Sequence, residues 1–88
     1  MALTGMDVSA VRALANQLTA KADEIETIAS TLSSQLDGTQ WLGADADGFR
    51  GDWHNTHRSQ LQNVATALRD ASTRAVNNAV QQEQASSS

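Results

Sequence analysis

The chain has 88 residues and a mass of 9.3 kDa, with six Lys plus Arg against ten Asp plus Glu and a net charge of −4. It has no Cys, which excludes disulfides and thiolate-held metal or iron–sulfur centres. Its acidic balance argues against a bare nucleic-acid binder or a protein that adsorbs to an anionic membrane face. A domain this small buries a modest share of its surface and tends to need a partner. Fifteen of its residues are Ala, so much of its apolar content is small.

The opening Met1-Ala2-Leu3-Thr4-Gly5-Met6-Asp7 carries no basic segment followed by an apolar one, so no ordinary signal peptide is expected. No stretch approaches the roughly 18 apolar residues of a membrane span. Read alone, that places the chain in the cytoplasm before any export, and it leaves open a route that accepts folded cargo. One helical-hairpin domain is expected over residues 1–88. It comprises a helix over 7–37, a turn over 38–45, a helix over 46–84 and a flexible tail over 85–88.

The first helix comes from an unbroken heptad pattern. Val8, Val11, Ala15, Leu18, Ala22, Ile25, Ala29, Leu32 and Leu36 recur at alternating steps of three and four, which no strand can use. Leu14 and Ile28 widen that stripe beyond a narrow seam. Lys21 lies at its edge, where the stem can snorkel. Asp7 is a good N-cap, with Met6 and Val11 as a hydrophobic staple across it. Asp37-Gly38 ends the helix, Gly38 tolerating the left-handed conformation.

The second helix carries Ala46, Phe49, Trp53, His57, Leu61, Val64, Leu68, Ala71, Ala75 and Ala79. Successive four-residue steps around Trp53 and His57 read as a stutter in the heptad. Asp45 and Asp47 suit the positive end of this helix, and its cap is either Gly43 or Asp45. Each helix spans about 45–55 Å at about 1.5 Å per residue. The short connection makes them antiparallel neighbours. Val11, Leu18, Ile25, Leu32 and Leu36 are expected to pack on Phe49, Trp53, Leu61, Val64 and Leu68. The strip left over, including Leu14 and Ile28, calls for a second hairpin and a four-helix dimer. The fold class is therefore all-α.

Between the helices lies Trp41-Leu42-Gly43, with Ala46 and Phe49 next at helical spacing. Trp41 locks the bend and Gly43 lets the backbone turn beneath the indole. A partner surface beside Trp41 is compatible with that role. His54 and His57 stand three apart, but no third His and no His-Glu-x-x-His run exists, so no metal site is expected. His57 falls on the apolar stripe as a core or interface residue, with a pH-sensitive contact as the alternative. Trp53 reads as core or dimer interface, with Arg50 and Arg58 at its rim. Arg12, Arg69 and Arg74 read as solvated or inter-helix pairs. Asp23, Glu24 and Glu26 form an acidic middle without the pocket that acid–base work requires. No phosphate-cradling Gly loop and no nucleophile motif is present, so neither enzyme chemistry nor a cofactor is expected.

A short two-helix chain with Trp41-Leu42-Gly43 at its middle, then Ala46, Phe49 and Trp53, resembles the WXG family. These are the small early-secreted-antigen-like substrates of type VII secretion in actinobacteria and other Gram-positive bacteria. The resemblance covers essentially the whole chain. It implies an antiparallel hairpin that pairs as a homodimer or with another WXG-type protein. It also implies export in folded form, without a cleavable signal peptide, by a machine driven by a membrane ATPase. No nucleic acid and no membrane insertion is implied. Many members carry a Tyr-x-x-x-Asp/Glu signal after the core of the second helix. Here Val76 stands in the place of the Tyr and Val80 in that of the acid. A shifted reading pairs Ala79 with Glu83. The chain has no Tyr at all. A dimer partner that supplies the signal, a divergent signal, or a role inside the cell each fit that departure.

Overall fold

The computed structural model describes residues 5–87. The first residues of the N-terminal lead (1–4) and the last residue of the tail (88) lie outside the described residues. The chain is an antiparallel helical hairpin with extents of 66 × 16 × 15 Å. It has α1 (Val8–Asp37), α2 (Ala44–Asp52), a π-turn (Trp53–His57) and α3 (Arg58–Ser87), and no strand occurs among the described residues. The three segments after the bend run on as one long helix.

α1 starts where its cap dictates. Asp7 is extended, and its Oδ1 accepts the Ala10 N–H at 3.0 Å. At the other end Gly38 is not left-handed as expected; it keeps helical angles of φ −85° and ψ −5°. Its N–H donates to the Ser34 carbonyl at 2.9 Å, and a Cβ there would lie 3.2 Å from that same oxygen. Glycine is favoured at 38 by crowding. The left-handed position is Gly43, at φ 114°. It also settles the second cap: Gly43 precedes α2 and its carbonyl accepts the Asp47 N–H at 3.0 Å. The second helix therefore begins at Ala44 rather than Ala46. It also runs through 85–87, past the expected end at 84, so those tail positions are helical.

The stutter around Trp53 takes the form of a π-turn, closed by the Arg58 N–H donating to the Trp53 carbonyl five residues back. One extra residue in a turn rotates the rest of the helix by about 100° relative to an uninterrupted α-helix. The turn carries His57 outward, so it is exposed in the hairpin instead of lying on its buried stripe.

The seam between the helices is built from small residues. Ala15, Ala22 and Ala29 of α1 and Ala65 and Ala79 of α3 are buried, with Ser72 between the last two. They recur every seven residues on both helices, the repeat that keeps one edge facing a partner helix. This departs from the large-residue seam expected from sequence. Leu14, Leu32, Phe49 and Val64 are exposed, and Val11, Leu18, Ile25, Leu36, Trp53, Leu61 and Leu68 are half-buried. Small side chains bring the backbones close enough for direct polar contact. The Ser72 hydroxyl donates to the Ala15 carbonyl at 2.7 Å and accepts from the Thr19 hydroxyl at 2.9 Å.

Placing Ala at the seam sorts everything else into two faces. On one side lie the residues three before and four after each seam position. Here Arg69 donates to Asp23 at 2.7 Å and to Glu26, Gln62 donates to Glu26 at 3.0 Å, and Arg12 pairs with Glu83. On the opposite side lie the residues four before and three after each seam position. Those are Val11, Leu18, Ile25 and Leu32 on α1, and Leu61, Leu68, Ala75 and Gln82 on α3, so the face is apolar up to its last position. Leu14 and Ile28 extend this apolar face outward and remain 55% and 51% exposed.

Candidate interaction site at the bend and the apolar face

The bend is held by one side chain that the Trp-x-Gly pattern does not name. Arg50, in the last turn of α2, folds its guanidinium back over residues 36–41. Nη1 donates to the Trp41 carbonyl at 2.7 Å, and Nη2 to the Thr39 carbonyl at 2.9 Å and the Leu36 carbonyl at 3.4 Å. The last of these is one of the carbonyls that a helix C-terminus leaves without a partner. A planar guanidinium reaches the three oxygens from two separate nitrogens held in a fixed fork, a geometry that the single nitrogen of a Lys ammonium does not reproduce. Sequence reading placed Arg50 at the rim of Trp53. The structure places it at the centre of the turn.

The two Trp have different duties. Trp41 tilts against Phe49, with ring centroids 5.4 Å apart at 55°. This fits the role of closing the bend, yet both rings stay partly exposed at its outer end. Trp53 is half-buried and donates its indole N–H to the Ser33 hydroxyl at 2.8 Å, which donates on to the Ala29 carbonyl at 2.7 Å. Ser33 is buried, so that chain satisfies a hydroxyl inside the seam. Leu32, Gln35, Leu36, Thr39, Phe49 and Trp53 line an open, mostly apolar cleft of about 300 Å³ beside these rings. The cleft is continuous with the apolar face.

The histidines part company. His54 Nε2 lies 3.0 Å from Asp37 Oδ1 and ties the π-turn to the end of α1. His57 sits over Trp53, with ring centroids 6.4 Å apart. Among the described residues no three His, Cys, Asp or Glu side chains come together as a metal cluster. A second, shallow depression lies beside Asp23, Glu26, Thr27, Ser30 and Thr31. There Arg69, with help from Gln62, holds the Glu26 carboxyl below its ordinary value. A depressed carboxyl stays ionised and serves as an ion-pair partner to Arg69, whose own value is raised by Glu26 and Asp23.

The tail residues matched to a secretion signal are spread around α3. Ala79 is buried in the seam, Val76 and Val80 are half-buried, and Glu83 is exposed and engaged by Arg12. Ser33, Ser72 and the carbonyl clamp of Arg50 were not singled out from sequence. The serines had a legible signal, since Ser72 continues the seven-residue series of Ala65 and Ala79. Arg50 had none, because its partners are backbone oxygens. Comparison with family models, with curated proteins and with solved structures returns no match.

Proposed function

We propose that this chain is a WXG-type protein of the type VII secretion pathway. It works by protein–protein contact, as an effector or as a co-secreted partner. In this reading it is cytoplasmic until it leaves the cell in folded form, carrying no cleavable signal peptide. Its apolar face takes a second hairpin, of the same chain or of another WXG-type protein, into a four-helix dimer. The membrane ATPase of the secretion machine is the further partner. Neither a cofactor nor an enzymatic step belongs to this proposal.

The observation that carries it is one conjunction. Trp41-Leu42-Gly43 forms the bend of a helical hairpin whose large apolar residues, Leu14, Ile28 and Val64 among them, lie exposed along one face. An Ala seam holds the two helices without using those residues, so the face is available for a partner. Leu14, Ile28, Leu32 and Val64 are each at least two-fifths exposed along a hairpin 66 Å long. A row of large apolar side chains left exposed on one face is the kind of surface that marks an interaction site.

A second reading is a non-secreted helical adaptor that pairs inside the cell. The absence of any Tyr, and hence of the Tyr-x-x-x-Asp/Glu signal, favours it. An export assay in a host with an active type VII system separates the two. The secretion reading expects uncleaved chain in the culture medium, lost when the ATPase is inactivated. Chain that stays wholly in the cells, alone and with each neighbouring WXG-type partner, overturns it in favour of the adaptor.

A further inference from the structure

The bend carries a feature that neither the seam nor hairpin pairing uses. Leu42 is 85% exposed, more than any other large apolar residue described, and Trp41 and Phe49 stand partly exposed beside it. An exposed Leu on a slack loop is commonplace. This one is on a loop fixed from three sides. Arg50 grips the Leu36, Thr39 and Trp41 carbonyls, Thr39 closes onto the Gln35 carbonyl at 2.6 Å, and Gly43 takes a backbone angle that few other residues adopt. The cost of ordering the loop is met before any partner arrives, which is what makes an exposed side chain an effective anchor.

Charge says what kind of partner fits. Of the net charge of −4, residues 31–57 hold −3: Asp37, Asp45, Asp47 and Asp52 against Arg50 alone. Arg50 is turned onto backbone oxygens and Asp37 is met by His54, and within residues 38–49 the only charged side chains are the carboxylates of Asp45 and Asp47. Such a tip is matched by a surface of opposite sign.

We propose that residues 38–49 form a pre-organised docking tip. Leu42 is its anchor, Arg50 its positioning residue, and the partner is an amphipathic protein helix whose apolar stripe is flanked by Lys and Arg. The proposal rests on reading the chain as a contact protein but not on hairpin pairing, because pairing uses the long face and docking uses the end.

The test titrates the full chain with an amphipathic helical peptide carrying Leu along one face and Lys on both sides. It is monitored residue by residue by NMR. A Glu-for-Lys version of the peptide serves as the control. The expected result is shifts at Trp41, Leu42, Gly43 and Asp45 with the Lys peptide alone, weakening as salt is raised. Leu42→Ser, which removes an exposed side chain and leaves the fold, lowers affinity roughly tenfold or more. The double change Asp45→Asn, Asp47→Asn lowers it with a flatter salt dependence. Arg50→Lys keeps the charge and loses the fork. Amide exchange over 40–43 then quickens and affinity falls while helical content holds, which separates positioning from overall folding. Equal binding of the Glu peptide, full binding by Leu42→Ser, or no binding overturns the tip. Shifts confined to Leu14, Ile28 and Val64 also overturn it and leave the pairing reading standing.

Discussion

The two long faces of the hairpin are built from the same two helices and do opposite things. One face is closed on itself: Arg69 bridges to Asp23 and Glu26, Gln62 adds a hydrogen bond, and Arg12 reaches Glu83. The other face carries Leu14, Ile28, Leu32 and Val64 in the open. What separates them is a row of alanines at seven-residue spacing. Were the leucines in the seam, the hairpin would bury them and have nothing to offer. Their displacement to one side teaches that the intramolecular contact is made with small residues, and that the large ones are left largely exposed beside it.

The seam gives the largest expected effect. Ala22→Leu or Ala65→Leu forces a bulky side chain between closely spaced backbones, a cost of about 1–3 kcal/mol or more in a well-packed site. Urea unfolding should show the loss directly. Val64→Ser, one residue from Ala65 but on the open face, should leave the helicity of the single hairpin nearly unchanged and weaken its association. If the two changes cost the same helicity, the division into seam and docking face is wrong.

Next in size is the polar link at the bend end of the seam. Trp53→Phe keeps an aromatic side chain, though a smaller one, and removes the indole N–H from the Ser33 hydroxyl, which still donates to Ala29. A loss of about 1 kcal/mol is expected, read as a lower unfolding midpoint at constant slope. An unchanged midpoint would make that hydrogen bond incidental.

The smallest expected effect belongs to the closed face. Arg69 and Gln62 hold the Glu26 carboxyl below its ordinary value of 4.5. A carboxyl depressed in the folded state contributes stability above its unfolded value, lost as pH falls through the folded one. Stability should therefore drop below about pH 4.5, and Glu26→Gln should shrink that drop while leaving the neutral-pH helix intact. The pair is exposed, so added salt should mute the difference. A drop of equal size in Glu26→Gln would remove this pair from the account.

Much of the fold was legible. The alternation of three and four from Val8 to Leu36 dictates a helix, Asp7 marks its start, and the short connection dictates the antiparallel partner. The irregular steps around Trp53 also showed through, as a π-turn. What periodicity could not decide was which members of a wide apolar stripe face inward. Ala15 and Leu18 both lie on that stripe, and only the closeness of the two backbones selects the smaller. His57 was misplaced for a related reason: a single inserted residue rotates everything beyond it, and spacing alone does not fix where the insertion sits. At the bend, Trp41 and Gly43 were visible as residue types. The Arg50 clamp was not, because its acceptors are backbone carbonyls that every sequence possesses.

The proposed dimer seats a second hairpin on the open face. Light scattering with circular dichroism, on one purified sample across a dilution series, tests it most directly. The expected result is a helical species of twice the 9.3 kDa chain that gives way to a single helical hairpin only on dilution. A fully helical monomer of 9.3 kDa, stable across the series, would contradict it.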